Sequence, residues 1–376
     1  MHGVADVWAM PEVEPEGGAS GGAVDDAKKP AWDTVVVRLS GEIGVKSRPV
    51  RSRLERAVTT HISRALKRRG IPINAITRSP GRAYISIWYS STVRDALARV
   101  FGISSFSPAL ATSSKIEEIT LKALQVAGNA LKAGSTFAVS CRRTGRQNYS
   151  SYDVNAKVGE AVLKEFSERS VRVNLSKPDV RIGVEVANES AYVFTETFAG
   201  AGGMPYGSQG KMVALIDGST RSTVAAWLMM RRGSPILPLL VSPALNQPSK
   251  DVLRQMKALM DWSPSRSAAY YAPSWEDDLT ALSKRGLADR QVPSWPFIYA
   301  DALACFMNAE GIVADDRLAL GPRSSDGKSE PLKLYHPLRP VYMPLLGFEE
   351  SEVQRLAERG LLSSYLEAST DDIEET

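Results

Sequence analysis

Cysteine and histidine are scarce. The 376-residue chain holds two cysteines, Cys141 and Cys305, and three histidines, His2, His61 and His336, all far apart. No CxxC pair occurs, so neither a disulfide framework nor a zinc site built from Cys and His is expected, and no metal site is assigned. Long apolar runs are absent too, and no stretch reaches bilayer-spanning length. The first residues lack the basic start and apolar core of a secretory signal. The expectation is a cytoplasmic protein without membrane contact. Its 43% hydrophobic and 23% charged residues suit a globular chain with room for two or three cores.

Acidic residues are sparse in one region only. Residues 33–107 carry 14 basic against 4 acidic side chains, a net +10 in a chain whose total is +4. A compact field of this size beside acidic flanks is the footprint of a polyanion binder. A solubilising surface is the alternative. The cations fall in groups: Lys46, Arg48, Arg51 and Arg53; Lys67, Arg68 and Arg69; and Arg142, Arg143 and Arg146. The last group enters the polar loop "TGRQNYSSYD", where Asn148, Ser150 and Ser151 offer contacts to phosphate or 2′-OH groups. Lys157 and Lys177 are added as candidates.

Periodicity divides the chain. Residues 1–32, rich in Pro, Glu, Gly and Ala, are expected to be a disordered acidic tail, and 367–376 a second one. Between 33 and 107 the pattern reads strand, helix, strand, helix, a small ferredoxin-like α+β unit. Its long helix shows Leu54, Val58, Ile62 and Leu66 at four-residue spacing and ends at Gly70. Residues 108–205 read as a second α+β unit. From 206 to 366 short apolar runs alternate with helical segments, which predicts an α/β domain with a parallel sheet. Ligands of such sheets sit at the carboxyl ends of the strands. One such end is the turn "DGSTRS", which follows Leu215 and Ile216. Cys141 lies on a strand beside Arg142 and Arg143, whose charge would lower a thiol pKa, and is the candidate reactive thiol. Burial as a small hydrophobe is its alternative. Cys305, in the apolar segment "ADALACFM", reads as core.

These segments carry a resemblance. "FAVSCRRTGRQNYSSYDVNAKVGEAV" followed by "VNLSKPDVRIGVEV" is similar to a THUMP domain, through its R-R-x-G-x-x-x-x-S-S-x-D run and its L-x-x-P-D. Upstream, "RLSGEIGVKSRPVR" resembles the start of the ferredoxin-like domain that precedes THUMP. Downstream, "GAGGMPYGSQGKMVALIDGSTRSTVAAWLMMRRG" resembles the junction into a PP-loop domain. The three-part order is that of the tRNA 4-thiouridine synthetase, or tRNA sulfurtransferase, family. The resemblance implies that the first two units hold the tRNA acceptor stem. It further implies that the PP-loop domain adenylates a uridine carbonyl with ATP and Mg2+, after which persulfide sulfur displaces AMP.

The loop departs from the family pattern Ser-Gly-Gly-x-Asp-Ser. The matching positions are Asp217, Gly218, Ser219, Thr220, Arg221 and Ser222. Gly218 and Ser222 fit. Asp217 puts an anion where pyrophosphate would lie, and Arg221 puts a cation at the acidic position. The family's lysine has no counterpart between Arg290 and Arg317, and of its Thr-Gly-Glu stretch only Gly321 matches. Asp217 is expected to oppose phosphate and to cap the helix N–H groups itself. Two readings follow. In the first, the loop is degenerate, ATP and Mg2+ are not cofactors, and the chain binds tRNA as an adaptor for a separate modifying enzyme. In the second, an altered loop, with Arg221 on phosphate, supports an active ATP- and Mg2+-dependent sulfurtransferase.

Overall fold

A computed structural model describes residues 32–241, 250–264, 270–271, 295–315 and 337–358. They build two sheets, one mixed and nine-stranded, one parallel and five-stranded.

The mixed sheet contains β1 (Thr34–Leu39), β2 (Ala75–Ser79), β3 (Arg82–Ser86), β4 (Ile103–Ser113), β5 (Thr136–Thr144), β6 (Arg172–Val173), β7 (Val180–Ala187) and β8 (Ser190–Phe194). Their order is β2-β3-β1-β4-β8-β7-β5-β6, and β9 (Phe198–Ala199) pairs with β4. The long strand β4 is common to both α+β units. Residues 103–109 pair with β1 and residues 110–113 with β8. The expected boundary between 107 and 108 thus falls inside one strand.

Helices cover one face of this sheet. Following α1 (Gly41–Gly44), α2 (Arg48–Lys67) buries Leu54, Val58, Ile62 and Leu66. Pro49 sits in its first turn, where a missing N–H costs nothing, and Gly70 stops it at φ +68°. With α3 (Ser91–Ala98) it packs on Val35, Val37 and Leu39 of β1. On the other half, α4 (Ile116–Ala130) and α5 (Ser151–Glu165) pack Ile119, Ala123, Val126, Val154, Val158 and Val162 on Ile182, Val184 and Val186 of β7. Trp32 joins that core, and its carbonyl accepts the Tyr89 N–H at 3.0 Å. Trp32, expected within the disordered tail, is instead ordered, because burying a large aromatic outweighs the ordering cost. Residues 1–31 and 367–376 lie outside the described residues.

Strand alternation sends Val36, Tyr84, Ala109 and Tyr192 to the opposite face, where they form a second small core. The sheet coils strongly enough that its two halves meet there. Tyr84 of β3 stacks on Tyr192 of β8 at 4.2 Å, although β1 and β4 lie between their strands.

The parallel sheet orders β12 (Tyr270–Tyr271), β11 (Ile236–Leu240), β10 (Met212–Ile216), β13 (Gly311–Val313) and β14 (Val341–Tyr342). The expected α+β half followed by a parallel α/β half is borne out. Central β10 is buried throughout, as a strand covered on both faces must be. Met212, Ala214 and Ile216 face α6 (Thr220–Arg231), α7 (Lys250–Asp261) and α9 (Glu350–Leu356). Val213 and Leu215 face α8 (Trp295–Phe306). The two bodies join through Phe101, stacked on Trp262 at 5.0 Å. Gly203 tightens the junction. A Cβ there would lie 2.2 Å from the Arg231 carbonyl oxygen.

Candidate RNA-binding surface and nucleotide loop

Two of the three basic groups are linked by contacts across the seam where the halves of the mixed sheet meet. Lys46, Arg48 and Arg53 are exposed at the start of α2. Arg51, half-buried, is 4.0 Å from Glu55, whose carboxylate accepts the Gly81 N–H at 2.8 Å. The next residue, Arg82, reaches across the coiled sheet and donates from Nε to Glu185 Oε1 at 2.7 Å. Arg142 is the register partner of Glu185 across the β5–β7 pair, so strand geometry places it on the same face. Arg142 and Arg146 are exposed, Arg143 is half-buried and donates to Gln147 at 3.0 Å, and Asn148 is exposed in the following loop.

The remaining candidates diverge from this stripe. Lys67, Arg68 and Arg69 end α2, about 30 Å from its start, and Arg68 and Arg69 line a small cavity with Asp261 and Trp262 of the other body. Lys177 precedes β7, at the strand end remote from Arg142, which is about 17 Å along the strand from Val180. Lys157 is committed to Glu117 of α4 at 2.8 Å. Ser150 is spent as the cap of α5, exchanging hydrogen bonds with Asp153, so it is not an open phosphate ligand.

Sequence reasoning missed the residues that join the stripe. Glu185 is buried and takes three contacts: Arg82, the Tyr84 hydroxyl at 3.3 Å and Arg38 at 3.5 Å. Burial and the neighbouring Glu185 push the Tyr84 phenol up, so its hydroxyl stays a donor. The available signal was a lone acid in the apolar strand "IGVEV" and a lone cation in "TVVVRL".

The turn after β10 closes on itself. Asp217 Oδ1 accepts from the Ser219 N–H at 2.9 Å and from its hydroxyl at 2.7 Å. Ser219 in turn caps α6 by accepting the Ser222 N–H at 3.1 Å. Ser222, buried, donates to the Ser219 carbonyl at 2.9 Å. Asp217 therefore holds the capping residue rather than the helix N–H groups directly. Gly218 has φ +89°, and a Cβ there would lie 2.8 Å from Val252, so this position requires glycine. From α7, Gln255 pins the turn by donating to the Gly218 carbonyl at 2.9 Å and accepting from Thr223 at 2.9 Å.

Arg221 does not point outward. It is buried and donates from Nε to Asp315 Oδ1 at 3.0 Å, with a second contact to Glu350 at 3.4 Å. Asp315 follows β13 at the ligand-binding edge of the sheet. Gly321 lies outside the described residues. Among the described residues no group of three or more His, Cys, Asp or Glu is placed to hold a metal ion, and no helix is long and apolar enough to cross a membrane.

The burial reading is favoured for Cys141, and the core reading of Cys305 is corrected. Cys141 packs against the core under α5, and burial pushes its thiol up to about 11, against the smaller lowering by Ser151 and Arg143. Cys305, expected in the core, is exposed.

Comparison with known proteins follows the same three-part order. Family models for the ThiI ferredoxin-like domain, the THUMP domain and the thiamine biosynthesis protein ThiI match residues 34–107, 113–196 and 207–292. The chain is 33% identical over 340 residues to a "Probable tRNA sulfurtransferase" of Methanosarcina acetivorans, covering 87% of this chain and 81% of that one. It belongs to the tRNA sulfurtransferase family. A relative of the same description from Saccharolobus islandicus is 32% identical over 333 residues, covering 86% of each. Among solved structures, a 4-thiouridine synthetase in complex with RNA and bound ATP matches with TM-score 0.70 and 26% identity over 87% of this chain and 85% of that one. PH1313 from Pyrococcus horikoshii matches with TM-score 0.65 and 28% identity over 87% and 98%. The sulfurtransferase family assignment and the THUMP architecture tie this chain to RNA binding and tRNA modification.

Proposed function

We propose that this family member binds tRNA through its ferredoxin-like and THUMP units but does not adenylate it. It serves as a cytoplasmic adaptor that presents tRNA to a separate modifying enzyme. The observation that carries this reading is the pairing of Arg221 with Asp315 while Asp217 occupies the Ser219 N–H. A triphosphate needs free amides and positive potential at a helix start. Here one amide is taken by a carboxylate and another by the cap, and the loop's cation is neutralised inside the protein. Among the described residues, this turn does not fit a conventional Mg-ATP site.

A second reading is an active ATP- and Mg2+-dependent tRNA sulfurtransferase with an altered loop. Its support is the likeness to a solved 4-thiouridine synthetase that holds ATP. Titration calorimetry with Mg-ATP, with and without tRNA, separates the two. The adaptor reading expects tRNA binding and no heat from Mg-ATP. Saturable, magnesium-dependent ATP binding overturns it.

A further inference from the structure

A buried carboxylate is retained only where its desolvation is offset by close cationic partners and hydrogen bonds. Glu185 of β7 has such partners, and all of them come from the other half of the sheet: Arg82 and Tyr84 of β3, and Arg38 of β1. In sheet order β3 and β7 are separated by β1, β4 and β8. The contacts therefore cross the fold of the sheet rather than run along it. Around them the seam is packed. Tyr84 stacks on Tyr192, the Arg38 guanidinium lies 4.8 Å over the Phe194 ring, and Arg38 donates to Ser107 at 3.0 Å. Gly183 makes room for that ring, since a Cβ there would lie 2.3 Å from Phe194.

The geometry points to Glu185 as a positioning residue for RNA binding, one that sets the angle between the ferredoxin-like and THUMP halves so that the cations of α2 and of β5 meet one RNA as a preset surface. Duplex RNA is recognised mostly by shape, so the spacing of contacts matters as much as their number. Two linked patches gain from each other only if both engage at once, and a loose joint forfeits that gain. This inference rests on the reading that both basic groups bind tRNA.

The sign of one substitution is diagnostic. Glu185 is an acid on a basic face, and by charge alone its removal should tighten binding to a polyanion. As a positioning residue, its removal weakens binding. Anisotropy titration of tRNA at fixed salt is expected to give at least about threefold weaker binding for Glu185→Gln than for the wild type. Equal or tighter binding overturns the inference. A second measurement does not depend on that variant folding. Spin labels at Thr60→Cys on α2 and Leu121→Cys on α4, both exposed, in a Cys305→Ser background, report the distance between halves while the seam is intact. A single narrow distribution, unchanged by tRNA, is expected. A broad one that sharpens on binding overturns the inference. If alanine replacements in the basic groups leave tRNA affinity intact, the RNA-surface reading itself fails. If those lose affinity and Glu185→Gln does not, only the role of Glu185 falls.

Discussion

The Arg221 Nε donates to Asp315 Oδ1 at 3.0 Å, with the two side chains only 5% and 3% exposed. Breaking a buried pair from one side strands the other charge, typically at about 3–5 kcal/mol. Arg221→Ala is therefore expected to lower the unfolding free energy of the parallel-sheet body by an amount in that range, read from urea titration as a lower midpoint. Glu350, more than half exposed, contributes far less, and Glu350→Gln should leave the midpoint nearly unchanged. Equal effects for the two substitutions would contradict this ranking.

Asp217 is the acid that closes the loop. Replacing it with serine, the family residue, frees the Ser219 N–H and removes a negative charge from the helix start. A charge-assisted hydrogen bond contributes about 1.5–3 kcal/mol, so anion affinity should rise roughly tenfold or more. Calorimetry of Asp217→Ser with ATP is expected to show a binding heat where the wild type gives none. An unchanged heat would assign the loss of nucleotide binding to another residue.

Much of the fold was legible because it is local. Four-residue spacing gave α2, alternation gave the strands of the mixed sheet, and short apolar runs before helices gave the parallel sheet. The destinations of charged side chains were not, because partners distant in sequence set them. Arg221 and Asp315 are 94 residues apart, and Arg82 and Glu185 are 103 apart. Cys141 shows why neighbours in sequence mislead on a strand. Adjacent residues point to opposite faces, so Arg142 lies across the sheet from the thiol it was expected to activate. Cys305 failed in the other direction, since an apolar helix segment does not reveal which of its faces is covered.

The two cysteines should accordingly reverse their expected reactivities. At pH 8, iodoacetamide is predicted to alkylate exposed Cys305 promptly. Cys141, whose thiol is pushed up to about 11, should stay unmodified in the folded protein. Peptide mass spectrometry after a short exposure checks this. Preferential labelling of Cys141 would restore it as a reactive thiol.

The basic stripe makes a graded prediction. Changing Lys46, Arg48 and Arg53 to Ala, or Arg142, Arg143 and Arg146 to Ala, should weaken tRNA binding severalfold. Each triple should also flatten the plot of log affinity against log salt, by about 0.9 for every duplex phosphate that is no longer neutralised. Lys177→Ala, at the far end of β7, should do neither. A binding constant for the wild type that barely changes between low and physiological salt would remove the electrostatic basis of the surface.

His61 links the stability of the two bodies to pH. It lies on α2 beside the cavity formed with Tyr206 and Trp262, and burial followed by Arg64 pushes its imidazole down to about 4 from an ordinary 6.5. The unfolded chain therefore binds a proton that the folded chain refuses between those values. Stability is fully present above pH 6.5 and falls as pH drops toward 4, after which this group contributes no further change. The total is at most about 3 kcal/mol at 1.36 kcal/mol per unit. Urea midpoints measured from pH 7.5 to 4.5 should decline for the wild type more steeply than for His61→Gln, which keeps a polar side chain without the titration. Parallel declines in the two proteins would place the acid sensitivity elsewhere.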